Sequence, residues 1–157
     1  MASWTDVTEA VPELSAAIRR VFDAHKHKTM ATLRRDGSPR ISGTEVDFRD
    51  GELWIGSMPD ARKAHDLQRD PRLAIHSATV DPDMVDGDAK LAGRAVEVTD
   101  EAVKDRIRTD DTPPGPFHLF RVDVTELALM TLAGDPPDRM VIESWHEGRG
   151  VRRVERR

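Results

Sequence analysis

Trp54-Ile-Gly-Ser-Met-Pro-Asp-Ala-Arg-Lys-Ala-His-Asp-Leu-Gln-Arg-Asp-Pro-Arg72 is the stretch that decides the fold. It reads as a short apolar strand, a turn, one short helix from near Asp60, and an Asp-Pro stop before another strand. Arg62 and Lys63 fall in the first turn of that helix. Cations there oppose the macrodipole, whose positive end prefers anions. Two readings follow. In one, free backbone N–H groups, the dipole and two basic side chains form a phosphate socket. In the other, the helix face is solvated and Arg62 pairs with Asp66 at i,i+4, a contact of about 0.3–0.5 kcal/mol. These residues by themselves leave both readings standing.

Upstream, two Asp-Gly turns, at Asp36-Gly37 and Asp50-Gly51, separate apolar runs at Lys28–Arg34, Arg40–Phe48 and Glu52–Met58. That pattern predicts an antiparallel meander. Gly43 and Gly56 fall inside strands, where they weaken pairing and permit a bend or the close approach of a ligand. Before the meander, Leu14, Ala17, Ile18, Val21 and Phe22 recur at helical spacing behind Pro12, and His25-Lys-His-Lys28 closes that helix with cations. Residues 1–10 are polar and read as a loose lead-in.

Downstream, Arg72–Thr79 and Ala89–Val98 predict two more strands, separated by the acidic loop Asp81-Pro-Asp-Met-Val-Asp-Gly-Asp88. Thr99 is placed to cap a helix running to Arg108. Phe117–Thr131 alternates as one long strand with a bend near Thr125-Glu126, and Arg139–Trp145 is a last strand. Residues 147–157 form a basic tail, ordered against a partner or loose. The element order, with antiparallel connections throughout, predicts a single mainly β (α+β) domain over 1–157, a small closed or nearly closed barrel with flanking helices.

Composition limits the function. At 157 residues the chain is long enough for one sizeable core, and its formal net charge of −5 argues against a general nucleic-acid binder. With no cysteine, disulfides, thiolate catalysis and cysteine-ligated metal are excluded. The amino end lacks a basic start and apolar run, and no stretch approaches about 18 consecutive apolar residues. A cytoplasmic protein without a membrane span is expected. No metal is expected either. His25 and His27 lack a third ligand, and the acidic loop lacks the alternating ligands and closing Glu of a calcium loop. No nucleophile elbow, P-loop or zinc-protease motif is present. A chain without such a constellation either binds without reacting or borrows its chemistry from a cofactor.

Five segments together resemble the pyridoxamine 5′-phosphate oxidase-like family of flavin-binding split β-barrels. They are Leu33-Arg-Arg-Asp-Gly-Ser-Pro-Arg40, Asp50-Gly-Glu-Leu-Trp-Ile-Gly-Ser57, Arg62-Lys-Ala-His-Asp-Leu67, Arg69-Asp-Pro-Arg72 and Leu91-Ala-Gly-Arg-Ala-Val-Glu97. The resemblance spans about residues 15–130. It implies an antiparallel split β-barrel of the FMN-binding type and a homodimer with flavin mononucleotide (FMN) between subunits. The related deazaflavin coenzyme F-420 is the alternative cofactor, with Arg19, Arg20, Lys26 or Lys28 as candidates for its anionic tail. Carried over by motif, Arg62 and Lys63 grip the cofactor phosphate, Gly56 and Ser57 contact phosphate or ring, and Arg40, Ile41 and Ser42 line the flavin. The implied activity is hydride transfer to or from a small molecule, and a non-catalytic flavin-binding module is the competing expectation. The chain departs from true pyridoxamine phosphate oxidases at two places. It has Glu45 and Val46 where they carry a basic residue, and Trp145-His-Glu-Gly-Arg-Gly-Val-Arg-Arg153 in place of their Arg-x-His-Asp-Arg segment.

Overall fold

The computed structural model describes residues 2–157. Strands β1 (Lys28–Leu33), β2 (Pro39–Thr44), β3 (Asp47–Arg49), β4 (Glu52–Ser57), β5 (Arg72–His76), β6 (Asp88–Glu97), β7 (His118–Ala133), β8 (Arg139–His146) and β9 (Gly150–Arg156) form one antiparallel sheet. Helices α1 (Trp4–Ala10), α2 (Pro12–Asp23), α3 (Arg62–Arg69) and α4 (Glu101–Ile107) flank it.

The hydrogen-bonded path runs β2-β1-β5-β6-β7-β4-β3, with β8 on β7 and β9 on β8. Its two edges, β2 and β3, are joined in the chain only by Glu45 and Val46. A trans chain advances 3.8 Å per residue, so Thr44 and Asp47 lie within roughly 11 Å of each other. The sheet therefore curls until its edges nearly meet without pairing. It is a split barrel rather than a closed one.

This geometry corrects the expected meander. Both Asp-Gly turns form, with Gly37 at φ 85° and Asp50 and Gly51 at 54° and 74°. The run Arg40–Phe48, however, breaks at Glu45-Val46 into two strands on opposite edges, and β4 pairs with β7 instead of β2. Turn chemistry is local, whereas the partner of β4 lies far down the chain.

The lead-in expected to be loose is helical from Trp4; Met1 lies outside the described residues. Ser3 and Asp6 form a reciprocal capping box, and Trp4 and Val7 bury one helical face. The Trp4 ring lies 4.6 Å from that of Phe48. Asp100, not Thr99, caps α4, accepting from the Ala102 and Val103 N–H groups. The basic tail folds back as β9 and pairs with β8 from His146↔Gly150 to Met140↔Arg156. No helix among the described residues is long and apolar enough to cross a membrane.

The β6 segment Leu91–Glu97 contains the one register slip against β7, between Ala92 and Gly93. A Cβ on Gly93 would collide with the Asp123 carbonyl oxygen and reach 3.0 Å from Val122 Cγ1. Because the obstacle is backbone, the strands would have to part. Gly93→Ala is expected to cost about 1–3 kcal/mol, as overpacking does. A denaturant midpoint equal to that of the parent would show that β7 yields freely.

Candidate functional site

A cleft of about 920 Å³ opens where the ends of β1, β2 and β4 meet the start of α3 and the loop before β7. Its apolar wall is a satellite of the core, built from Trp54, Ile107, Leu119 and Phe117. Trp54 Nε1 donates to the Arg49 carbonyl at 3.0 Å, which holds the indole against that wall. Phe117 carries Lys104 and Arg108 over its ring at 5.0 and 4.7 Å. Two glycines form part of the lining. A Cβ on Gly43 or Gly56 would meet nothing within 4 Å, so the backbone there stands open to a ligand.

α3 begins beside this cleft. Its N-cap is Ala61, no side chain caps it, and its first turn holds no acid. The positive end of the helix is thus available to an external anion. Lys63 lines the cleft and donates from Nζ to the Gly43 carbonyl at 2.7 Å. Burial lowers its pKa, with Glu45 acting the other way.

Arg62 is exposed and has no partner among the described residues. Its expected i,i+4 pairing with Asp66 does not form, because Asp66 is fully used elsewhere. Oδ2 accepts from Arg40 Nε at 2.7 Å and Thr32 Oγ1 at 2.8 Å, and Oδ1 accepts from the Arg69 guanidinium at 3.0 Å. Burial would raise the Asp66 pKa, but these three donors outweigh it and hold the carboxylate below its ordinary value.

Of the residues singled out in the sequence, the cleft brings together Gly56, Ser57 and Lys63. Arg40, Ile41, Ser42 and Arg62 are not in its lining. The strand pleat separates the first three: Arg40 and Ser42 share the inward face of β2, while Ile41 is 75% exposed on the other. Arg40 braces α3 through Asp66 rather than facing the cleft. Among the tail candidates, Lys26 and Lys28 line the cleft, whereas Arg19 pairs with Asp23 at 3.3 Å over the Phe48 ring.

Sequence reasoning named Lys28 only as a cation at the end of α2 and as a candidate for the F-420 tail, and did not foresee its burial. The alternation Lys28-x-Met30-x-Thr32 was the available signal, since Met30 and Thr32 are core-facing and Lys28 shares their phase. A smaller cleft of about 390 Å³ shares Pro59, Pro116 and Phe117 with the first. In it His118 Nδ1 lies 2.8 Å from Glu97, which also accepts from Gln68 at 2.8 Å.

A family model for pyridoxamine 5′-phosphate oxidase matches residues 14–131. No curated protein matches the chain in sequence. Among solved structures, PhzG from Burkholderia lata, in complex with tetrahydrophenazine-1-carboxylic acid, is 14% identical with TM-score 0.65, over 96% of this chain and 91% of that one. A pyridoxamine 5′-phosphate oxidase-related, FMN-binding protein from Nostoc punctiforme is 14% identical with TM-score 0.64, over 94% and 96% of the two chains. General stress protein 26 from Bacillus anthracis is 14% identical with TM-score 0.58, over 71% and 89%. At these identities the likeness is one of fold.

Proposed function

This chain belongs to the pyridoxamine 5′-phosphate oxidase family, and we propose that it is a flavin-dependent oxidoreductase that moves hydride to or from a small molecule. The observation that carries the reading is the uncapped, acid-free start of α3 beside the cleft, with the Lys63 ammonium at its rim and Arg62 unpaired. Dipole, free N–H groups and two cations make a fit for the dianionic phosphate of FMN.

When bound, the flavin supplies the hydride chemistry, and the protein supplies binding, orientation and electrostatics. Lys63 and the α3 N-terminus would hold the phosphate, with the exposed Arg62 one residue earlier adding positive charge from the solvent side. Gly43 and Gly56 let the flavin approach the backbone. Trp54, Ile107 and Phe117 keep water from one side of the cleft. With Glu45 and Val46 where pyridoxamine phosphate oxidases have a cation, the reading does not extend to their vitamin-forming reaction.

A homodimer belongs to the same proposal. The register aligns Met130 with Ile142 and Val154, and Leu132 with Met140, on one face of β7, β8 and β9. These apolar side chains are only partly covered, Leu132 being 40% exposed, and such a face supports self-association.

The visible spectrum of the purified protein, followed by titration with FMN and with coenzyme F-420, tests the reading. A flavin spectrum or saturable FMN uptake is expected. A colourless protein that binds neither overturns it. A flavin that binds, yet that no donor reduces and no acceptor reoxidises, makes the chain a binding module instead.

A further inference from the structure

Lys28 occupies the position in this fold that is hardest to explain by stability. It is the first residue of β1, on the face shared with Met30 and Thr32, and it is only 6% exposed. Buried lysines are rare unless they are paired, because desolvating an ammonium is costly. Lys28 has no carboxylate at ion-pair distance among the described residues. Its Nζ donates to the Lys26 carbonyl at 3.0 Å, which uses one of three N–H groups.

The acids nearby are engaged elsewhere. Asp23 binds Arg19 at 3.3 Å, and Glu45 lies 3.9 Å from Lys26 and 3.8 Å from His27. Asp111 on the opposite loop also takes Lys26, at 3.6 Å, and Asp47 takes Arg49 at 2.8 Å. Among the described residues, Lys28 and Lys63 are therefore the two lysine or arginine side chains lining the cleft that have no carboxylate at ion-pair distance, and each donates only to a backbone carbonyl. They flank the end of β2, since Lys28 is the β1 partner of Thr44 and Lys63 bonds Gly43. Burial lowers the pKa of both, with Asp23 and Glu45 opposing it from a distance at Lys28 and Glu45 at the half-buried Lys63.

If Lys63 serves the cofactor phosphate, Lys28 remains as a second, separate cation in the same cleft. Trp54, Ile107 and Phe117 line that cleft with apolar surface. We propose that Lys28 anchors the substrate, and that the substrate is a small, flat apolar molecule bearing a carboxylate. This deepens the flavin reading and rests on it for taking the remainder of the cleft as the substrate's place. The ligand then supplies the close negative charge that the chain does not place beside Lys28. Uncharged analogues of the same shape can accept a hydrogen bond from it but leave that charge unpaired.

Calorimetric titration of the full chain loaded with FMN, using benzoate and its uncharged isostere benzamide as probes, tests the assignment. Benzoate is expected to bind about ten- to hundredfold more tightly, the worth of one charge-assisted hydrogen bond in a desolvated site. Lys28→Met is expected to erase the preference while keeping FMN, and Lys28→Arg to restore part of it. Lys63→Met is expected to do the reverse, weakening FMN and leaving the preference.

Equal affinity for the two probes in the unsubstituted protein overturns the proposal without any variant having to fold. So does a Lys28→Met protein that still prefers benzoate. So, too, does a Lys28→Met protein that loses FMN or F-420 while keeping the preference, because the lysine then belongs to the cofactor. If the protein takes up no flavin, the same pair of titrations on the flavin-free chain separates the two ideas. A benzoate preference that depends on Lys28 upholds the anchor while the flavin reading falls.

Discussion

Lys63→Ala is expected to weaken FMN binding by about 2–5 kcal/mol, the range for removing one member of a desolvated, hydrogen-bonded charge pair. The size follows from where the ammonium sits. It lines the cleft, burial lowers its pKa, and its bond to the Gly43 carbonyl holds it beside the open start of α3. Arg62 sits one residue earlier but is exposed. Arg62→Ala should therefore cost only about 0.5–1 kcal/mol, as exposed charges do, and the cost should shrink with added salt. Quenching of flavin fluorescence in a titration measures both, with a thermal melt to show that each variant is folded. Unchanged affinity in a folded Lys63→Ala protein would place the phosphate elsewhere.

Asp66→Ala is expected to destabilise the fold by about 3–5 kcal/mol, the range for removing one partner of a buried ion pair. The carboxylate is 4% exposed and joins three elements: Thr32 of β1, Arg40 of β2 and Arg69 of its own helix. Without it, Arg40, itself only 19% exposed, has no anion. Since α3 carries Lys63, flavin affinity should fall with stability, an effect the Lys63 variant does not share.

The pH dependence has a definite sign. The folded pKa of Asp66 lies below the ordinary value of 3.8, which also describes the unfolded chain. Its contribution is therefore fully present above 3.8 and is lost as the pH falls through the lower folded value. The stability gap between the parent and Asp66→Asn, measured by denaturant unfolding, should be largest near neutrality and close in acid. A gap that persists below the folded value would mean that shape rather than charge holds the three elements together.

Much of the secondary structure was legible because its causes are local. The Asp-Gly pairs could take left-handed turns, Pro12 could open a helix, and Asp70-Pro71 could close one. Even the missed helix at Trp4–Ala10 had a local signature, Ser3 and Asp6 at capping-box spacing with Trp4 and Val7 on one face. The polar character of the first ten residues hid it, since two buried side chains give too little periodicity to notice.

The site was less legible. The basic pair Arg62-Lys63 stood out because it opposes the helix dipole, and the register of β1 already put Lys28 in phase with core residues. Nothing local, however, says that Arg40 turns inward to Asp66 while Ile41 turns out, or that Asp66 is taken by three donors and so is denied to Arg62.

The sequence by itself determined the hairpins, the helices with strong periodicity or caps, and the cationic start of α3, because each depends on residues a few positions apart. Only the tertiary structure decided that β2 and β3 part at Glu45-Val46 to become opposite edges, and that the ends of β1, β2 and β4 meet α3 around one cleft. Those outcomes depend on which distant strand each edge finds. That choice is made by burial over the whole sheet rather than by any neighbour in the chain.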